Sequence, residues 1–280
     1  MKFSSPLASA RTLLFVPGNR PERFEKAISS GADAIVLDLE DSVPLAEKAT
    51  ARHSIAQAWD GLLRHGIPLV IRINPIGEGL QGETDLDWLA SLTPPAGVMV
   101  PKVDSAELLD AVSRAIPTVP LLPLIESANG YLALRSISQQ THVLRLVVGH
   151  IDFMADTGIQ CSVGEAELDP LRFEVTMVSR ASQLASAIDG VTIDIHNMEL
   201  LKEDGLRALR FGFGGKLCIH PKQVEAIHNA FAPTEEQLVW AERVLAADSA
   251  SGGAAVQLDG RMVDVPVVLQ ARKYLARAAR

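Results

Sequence analysis

The 280-residue chain contains 48% hydrophobic residues, and its 26 basic and 34 acidic side chains leave a formal net charge of −8. A chain of this length can bury a large core, and one domain with a tail fits the composition better than two equal halves. The acidic balance and the lack of a long basic segment argue against nucleic acid as a partner.

Short apolar runs alternate with segments of helical periodicity along most of the chain. Runs this short are typical of strands that are buried on both faces, and such strands belong to parallel sheets. The predicted strands are Thr12 to Pro17, Ala34 to Leu39, Leu69 to Ile73, Gly97 to Lys102, Leu121 to Glu126, Val143 to Asp152, Val191 to His196 and Lys216 to His220. Eight alternations of this kind predict an α/β fold, a (β/α)8 TIM barrel.

Two further segments stand out from the simple alternation. Residues 153–169 make a connection that is long for a barrel, so we expect a lid or an interface there, followed by a long helix from Leu171 to Ile188. After the eighth strand and its helix, a tail with the glycine pair Gly252-Gly253 remains. We therefore predict a barrel domain at residues 1–232 and a C-terminal helical extension or lid at residues 233–280.

Acidic side chains end two of the predicted strands. Glu126 ends the fifth strand and Asp152 the sixth, and catalytic groups of parallel barrels collect at this edge. Two carboxylates without a thiolate or imidazole cluster favour a hard cation such as Mg²⁺. The alternative is that each acid caps the following helix or pairs with a nearby arginine.

Charged residues also cluster near the first three strands. Arg20, Arg23 and Lys26 follow the first strand and would suit a phosphate-rich ligand, although composition alone slightly favours a solvated helix face. Asp38 and Glu40 share one face of the second strand end and repel each other unless a cation or donors lie between them.

Arg72 lies in the third strand, which otherwise reads as buried, so it needs a carboxylate or phosphate partner. That partner is either a ligand or, through an internal ion pair, Asp38 or Glu40.

The cysteine count and the hydropathy pattern limit the compartment. Cys161 and Cys218 are far apart and lack CxxC spacing, which argues against a disulfide framework or a zinc site. No segment approaches about 18 uninterrupted apolar residues, and MKFSSPLASAR has no signal-peptide core. We expect a cytoplasmic protein with no membrane partner.

A set of motifs identifies a family. RTLLFVPGNRPERFEKA, VLDLEDSV, IRIN, PK, LIES, GHIDF, CIHPKQV and DGRMVDVPVV occur in the order found in the citrate lyase β subunit family. That family includes malyl-CoA and citramalyl-CoA lyases and lies within the HpcH/HpaI aldolases. The resemblance runs from Arg11 to about Gln270, and its motifs are specific as a set.

The resemblance implies roles for individual residues. Glu126 and Asp152 match Mg²⁺ ligands, and Arg72 matches the arginine that holds the oxygens of a 2-oxo acid. Asp264, in GRMVD, resembles an acid/base aspartate that the tail of an adjacent subunit delivers. The remaining matches are Phe15, Arg20 and Lys26 for coenzyme A, Ile219 and His220 for substrate, and Asp38 and Glu40 behind the waters of the metal. We expect Lys102 to pair with this acidic cluster.

These matches imply a Mg²⁺-dependent carbon-carbon lyase of the oxo-acid-lyase type. Its substrate would be a 3-hydroxyacyl-CoA thioester such as citramalyl-CoA or malyl-CoA, split into acetyl-CoA and a small 2-oxo acid, and it would act as a homotrimer or hexamer. The alternatives are a citrate lyase β subunit acting on a citryl carrier protein within a complex, a CoA-independent 2-oxo acid aldolase, and a non-catalytic binding protein. The segment FMADTGIQCSVGEAELD departs from the family pattern, which leaves the choice of 2-oxo acid open.

Overall fold

The structure is a computed structural model that describes residues 5–278; the outermost ends of the two predicted domains lie outside this range. It divides into two compact units, Met1–His228 and Asn229–Arg280. None of the helices in the described range is long and apolar enough to cross a membrane.

The first unit is a closed barrel of eight parallel strands, in which each strand pairs with the next in the chain and β8 pairs with β1. The strands are β1 Thr12–Pro17, β2 Ala34–Asp38, β3 Leu69–Arg72, β4 Gly97–Val100, β5 Leu121–Ile125, β6 Val147–Val148, β7 Ile188–Asp189 and β8 Gly215–Cys218. The predicted (β/α)8 barrel is confirmed.

Helices follow every strand. They are α1 Phe24–Ile28, α2 Lys48–Leu63, α3 Gln81–Leu89, α4 Ala106–Ala115, α5 Ala128–Leu132, α6 Leu134–Ser138, α7 His150–Thr157, α8 Asp169–Ala181, α9 Met198–Phe211 and α10 Lys222–Phe231, the last of which spans the point of division. The barrel interior is filled by aliphatic side chains from all the strands, among them Leu13, Val36, Val70, Met99 and Leu217. This filling makes the barrel a packed core, so a ligand can enter only at its ends.

Two predicted elements are wrong in their bounds. The predicted strand 191–196 is loop, and the strand lies earlier, at β7, which begins at the last residue of the predicted long helix. Val191 packs against the barrel core and also lines a cavity, and Ile193 lines a second cavity. Asp189 is buried in the strand, close to Lys216 and Arg172, whose charges together with that of His150 lower its pKa against the effect of burial. Because β7 contains a charged residue that is stabilised by partners distant in the sequence, it is not recognisable as an apolar run.

The start of the barrel is fastened at its N-terminal end by Asp33. Its Oδ2 accepts hydrogen bonds from the backbone N–H groups of Arg11 (2.6 Å) and Thr12 (3.3 Å), and His228 Nε2 lies 3.4 Å away. Although burial alone raises the pKa of Asp33, the hydrogen bonds and charges of His228 and Arg11 lower it to about 2. The ionised carboxylate is therefore part of the fold.

The second unit contains α11 Glu235–Ala250, the two-stranded hairpin of β9 Val256–Leu258 and β10 Arg261–Val263, and α12 Val265–Ala278. Its own small core consists of Ala241, Val244, Val263, Val268 and Ala271. The Thr234 side chain and Gln237 form a capping box at the start of α11, which satisfies backbone groups of the first turn. The predicted packing of this extension on a neighbouring subunit stays a prediction.

Candidate active site

A cavity of about 710 Å³ lies at the C-terminal ends of the barrel strands, where catalytic groups of this fold collect. Side chains from β1, β2, β3, β5, β6 and β8 and from the segments that follow the strands form its walls. Of the predicted site residues, the cavity is lined by Phe15, Lys26, Asp38, Arg72, Glu126, Asp152, Ile219 and His220. The fold therefore brings together eight residues that are far apart in the sequence.

Arg72 and Asp38 form an ion pair with two hydrogen bonds in the wall of the cavity. They are register partners on β3 and β2, and the guanidinium donates from Nε to Oδ1 at 2.6 Å and from Nη2 to Oδ2 at 2.7 Å. Burial alone raises the pKa of Asp38, but the charge and hydrogen bonds of Arg72 outweigh it, so that the pKa is lowered. The internal ion pair that the sequence left open is thus present, and it fixes the plane of the guanidinium.

The third nitrogen of Arg72 is less firmly held. Nη1 lies 2.7 Å from Glu40 Oε2 and 3.6 Å from Asp41 Oδ2, but Glu40 Oε2 accepts no well-aligned hydrogen bond. Burial raises the pKa of Glu40 to about 8, since the Arg72 charge is offset by Asp41 and Asp38. Glu40 is therefore largely neutral at pH 7, and Nη1 is the donor of Arg72 that a ligand can recruit.

Glu126 follows β5 and is buried, with 5% of its surface exposed. Its Oε1 accepts a hydrogen bond of 2.7 Å from the backbone N–H of Lys102. Burial, followed by the charge of Glu40 and to a lesser extent that of Asp152, raises the pKa of Glu126 to about 8. Gly149 allows this position, because a Cβ there would lie 2.6 Å from Glu126 Oε2.

Asp152 lines the cavity, but the prediction that it lies at a strand end is wrong. β6 stops at Val148, and after Gly149 the chain enters α7, so Asp152 is the third residue of a helix. The strand and the helix are separated by one glycine, so no loop of ordinary length marks the boundary between them. The carboxylate still acts on Glu126, whose pKa it raises.

The residues fit a divalent metal ion. Burial and the charges of Glu40 and Asp152 raise the pKa of Glu126, burial raises that of Glu40, and a bound cation would stabilise the ionised carboxylates. All donors are oxygens, which suits Mg²⁺, an ion that is usually held by one or two carboxylates and completes its shell with water. Within residues 5–278, no group of three or more His, Cys, Asp or Glu side chains forms a metal cage by itself. A two-carboxylate site is consistent with that finding.

The mouth of the cavity is basic although the chain is acidic. Lys26 and His220 line it, and the pKa of His220 is lowered by partial burial and by the positive charges of Lys222, Lys26 and His196. Arg23 also lines the cavity. Arg20 does not; its Nε donates to Glu22 Oε1 at 2.6 Å, and both side chains are exposed.

Phe15 lies against the guanidinium of Arg72, whose Cζ is 4.7 Å from the ring centroid. A guanidinium stacked on a ring face is attracted by the ring quadrupole and shielded from water on that side. Phe15 therefore belongs to the Arg72 cluster as well as to the cavity wall.

Lys102 has a different partner from the one predicted. Its Nζ lies 3.5 Å from Glu78. Burial is the largest single effect on the pKa of Lys102 and lowers it, but the charges of Glu78, Glu40 and Asp41 together raise it above the usual value. The contact with Glu126 comes from its backbone N–H. Lys102 also has a φ of 48°, a left-handed conformation that holds this N–H toward the carboxylate.

Asp264 belongs to the second unit and is exposed. It precedes α12, where its carbonyl accepts the N–H of Val268 at 3.0 Å. Its proposed catalytic role stays a prediction.

Sequence reasoning missed His150, Ser42 and Asp41 as parts of the cavity wall. Ser42 donates from its hydroxyl to Asp38 Oδ2 at 2.5 Å and so supports the ion pair with Arg72. A serine four residues after the aspartate is a recognisable local signal, whereas His150 carried none, because its surroundings come from distant segments.

Comparisons with known proteins agree with this architecture. The model of the family HpcH/HpaI aldolase/citrate lyase matches residues 11–221. A citrate lyase subunit beta-like protein of Mycobacterium tuberculosis is 35% identical over 275 residues, which cover 95% of this chain and 94% of that protein. The mitochondrial citramalyl-CoA lyase of Rattus norvegicus is 30% identical over 291 residues, covering 96% of this chain and 86% of that protein.

A solved structure is similar over nearly the whole chain. It is the crystal structure of protein CitE from Mycobacterium tuberculosis in complex with magnesium, acetoacetate and coenzyme A, with a TM-score of 0.83 and 32% sequence identity, and the match covers 98% of this chain and 100% of that chain. The resemblance found in the sequence motifs is confirmed. The chain belongs to the HpcH/HpaI aldolase/citrate lyase family.

Proposed function

We propose that the chain is a Mg²⁺-dependent carbon-carbon lyase that cleaves a 3-hydroxyacyl-CoA thioester of the citramalyl-CoA or malyl-CoA type into acetyl-CoA and a 2-oxo acid. The observation that carries this proposal is the pairing, in one cavity, of mutually repelling carboxylates with a strand-fixed arginine. The names of the relatives, a citrate lyase beta-like protein and a citramalyl-CoA lyase, support the reaction class.

Glu126 and Asp152 are our candidates for the Mg²⁺ ligands. When bound, Mg²⁺ supplies Lewis-acid polarisation of the oxygen on which charge develops during cleavage. The CitE structure that contains magnesium together with acetoacetate and coenzyme A supports the choice of Mg²⁺ as the metal. Glu40 faces the same region, and a bound cation would favour its ionised form as it would that of Glu126, because burial raises the pKa of both side chains to about 8.

Arg72 is our candidate for holding the oxygens of the 2-oxo acid. Asp38 occupies Nε and Nη2, so the guanidinium approaches substrate through Nη1 in a fixed orientation. A fixed positive charge in a site that excludes water stabilises developing negative charge without first having to reorient. The ring of Phe15 covers one face of the Arg72 guanidinium and helps to exclude water from that face.

The basic mouth of the cavity is our candidate for the coenzyme A subsite. The positive charges of Lys26, Arg23 and Lys222 would attract the phosphates of the thioester, which the net negative charge of the chain would otherwise repel. Ile219 and His220 line the entrance beside these residues. Arg20 keeps its proposed role in binding coenzyme A, although in the free protein it pairs with Glu22.

Asp264 completes the proposal as the acid/base group. Cleavage of the carbon-carbon bond leaves a thioester enolate, which needs a positioned proton donor. We propose that the tail of an adjacent subunit delivers Asp264, that the active species is a homotrimer or hexamer, and that it is located in the cytoplasm.

Purified protein with Mg²⁺ and either malyl-CoA or (S)-citramalyl-CoA provides the test. We expect release of acetyl-CoA and a 2-oxo acid, with loss of activity after treatment with a chelator. Activity that appears only when citryl carrier protein and transferase subunits are added would support the alternative of a citrate lyase β subunit. Aldol cleavage of free 2-oxo acid adducts without coenzyme A would support the aldolase alternative. Inactivity with the CoA thioesters, the citryl carrier protein and the free adducts would support a binding protein.

A further inference from the structure

His150 begins α7, and it is one of the cavity residues to which the sequence assigned no role. Its side chain is buried, with 4% of the residue surface exposed, and it lines both the candidate active site and a second cavity of about 750 Å³. The imidazole is therefore a wall between the two cavities, two residues before the candidate metal ligand Asp152.

The first turn of α7 receives no hydrogen bond from a capping side chain. β6 and α7 are joined by Gly149 alone, and Gly149, as the N-terminal cap, offers no side-chain hydrogen bond to the helix. Capping side chains normally satisfy the first N–H groups and fix the entry of the helix. Packing around the first helical residue must supply that function here.

Two contacts wedge the imidazole in place. On one side is Gly190, where an added Cβ would lie 2.1 Å from His150 Nδ1 and 2.8 Å from Cε1, so only glycine leaves room for the ring. On the other side, Nε2 lies 3.6 Å from Glu165 Oε1. The ring is thus held between the residue after β7 and the loop that precedes α8.

Glu165 is itself rigidly held. Its Oε2 accepts a hydrogen bond of 2.5 Å from Arg172 Nη2 and one of 2.8 Å from Arg207 Nη2, and Arg172 is almost completely buried. Its backbone has a φ of 50°, a strained conformation that persists only where surrounding contacts enforce it. The imidazole therefore rests against a fixed carboxylate anchored by α8 and α9.

We propose that His150 is a positioning residue for the metal site: its wedged ring fixes the first turn of α7 and with it the carboxylate of Asp152 relative to Glu126. This inference rests on the proposed function, because it takes Asp152 and Glu126 as Mg²⁺ ligands. Residues that orient metal ligands from behind typically cost about 10–100-fold in metal affinity when they are removed.

Two substitutions disturb the wedge from opposite sides. His150→Ala removes the ring, and Gly190→Ala keeps the ring but forces it to move. We expect each to weaken Mg²⁺ binding by about 10–100-fold, measured by calorimetric titration of the full-length protein with MgCl₂ alone. In the double variant the new methyl group enters space that the ring has left, so its loss should be smaller than the sum of the two single losses.

Matched controls separate positioning from general destabilisation. His53→Ala removes an exposed histidine of α2, and Gly164→Ala adds a methyl group at a glycine with nothing within 4 Å of its Cβ position. Both should bind Mg²⁺ as the parent does. Thermal unfolding in metal-free buffer is measured in parallel, and if His150→Ala does not fold, Gly190→Ala carries the test.

The outcomes are distinct. Parent protein that binds Mg²⁺, together with folded wedge variants whose affinity is within twofold of the parent value, would overturn the inference and leave the proposed function standing. Parent protein that binds no Mg²⁺ would overturn both.

Discussion

Asp38 and Arg72 are paired twice, once as backbone register partners on β2 and β3 and once as a two-pronged ion pair with distances of 2.6 and 2.7 Å. The strand register therefore determines the orientation of the cation in the candidate active site. Because the sheet positions both partners, the geometry does not depend on a loop.

Arg72→Lys keeps the charge but loses the planar fork, so we expect kcat/KM for the thioester to fall by about 100-fold or more. Arg52→Lys is the matched control, because Arg52 forms a similarly buried pair with Asp85 at 2.6 Å outside the cavity. Both variants should lower the melting temperature, and only Arg72→Lys should impair turnover. Equal kinetic effects would show that the loss is structural.

Glu126→Gln and Asp152→Asn should each abolish the stabilisation that Mg²⁺ confers. Binding to the folded state alone raises stability by RT ln(1 + [Mg²⁺]/Kd), which is about 2.7 kcal/mol at a concentration one hundred times the Kd. The measurement is the shift in melting temperature between chelator and saturating Mg²⁺. Asp110→Asn, on the exposed side of α4, serves as the control and should show the full shift.

Asp264→Asn should lower kcat by two to four orders of magnitude, about the contribution of a general acid or base, with little change in thioester binding. If the tail of another copy supplies the residue, mixed oligomers of Asp264→Asn and Glu126→Gln chains should recover activity, because some sites then combine an intact cavity with an intact tail. Inactive mixtures that contain demonstrated hetero-oligomers would contradict delivery between subunits.

Lys26→Ala should raise the KM for the thioester and leave the affinity for a free 2-oxo acid unchanged, since Lys26 lies at the mouth of the cavity. Arg20→Ala should have a smaller effect, because Arg20 is exposed and already paired with Glu22. The salt dependence of the KM provides a second measurement: attraction between phosphates and lysine weakens as ionic strength rises.

Asp33→Asn should destabilise the barrel by about 1–2 kcal/mol at neutral pH, since it weakens charge-assisted hydrogen bonds to two backbone N–H groups. The folded pKa of about 2 lies below the usual aspartate value of 3.8, so the contribution of the ionised group is present above pH 4 and is lost as the pH falls through about 2. Denaturant melts of parent and variant at pH 7 and at low pH should therefore converge on the acidic side. A constant difference would contradict the linkage.

The sequence predicted the barrel because the apolar runs have the length of buried strands; β1 was predicted with its observed bounds. The sequence also predicted an ion pair between Arg72 and Asp38 or Glu40 as one of two alternatives, the other being a ligand bound by Arg72. The helical position of Asp152 was not predictable, because Gly149 is the only residue between β6 and α7 and no loop separates the strand from the helix. β7 was missed because the partners that stabilise Asp189, such as Lys216, are distant in the chain.

Closure of the barrel by β1 and β8 constrains how the chain can fold during synthesis. The last strand ends at Cys218, so roughly four fifths of the polypeptide must leave the ribosome before β1 gains its second neighbour. Until then β1 presents an open edge, which is a template for pairing with other nascent chains. We expect chaperone dependence to be greatest in this interval and to end when β8 emerges.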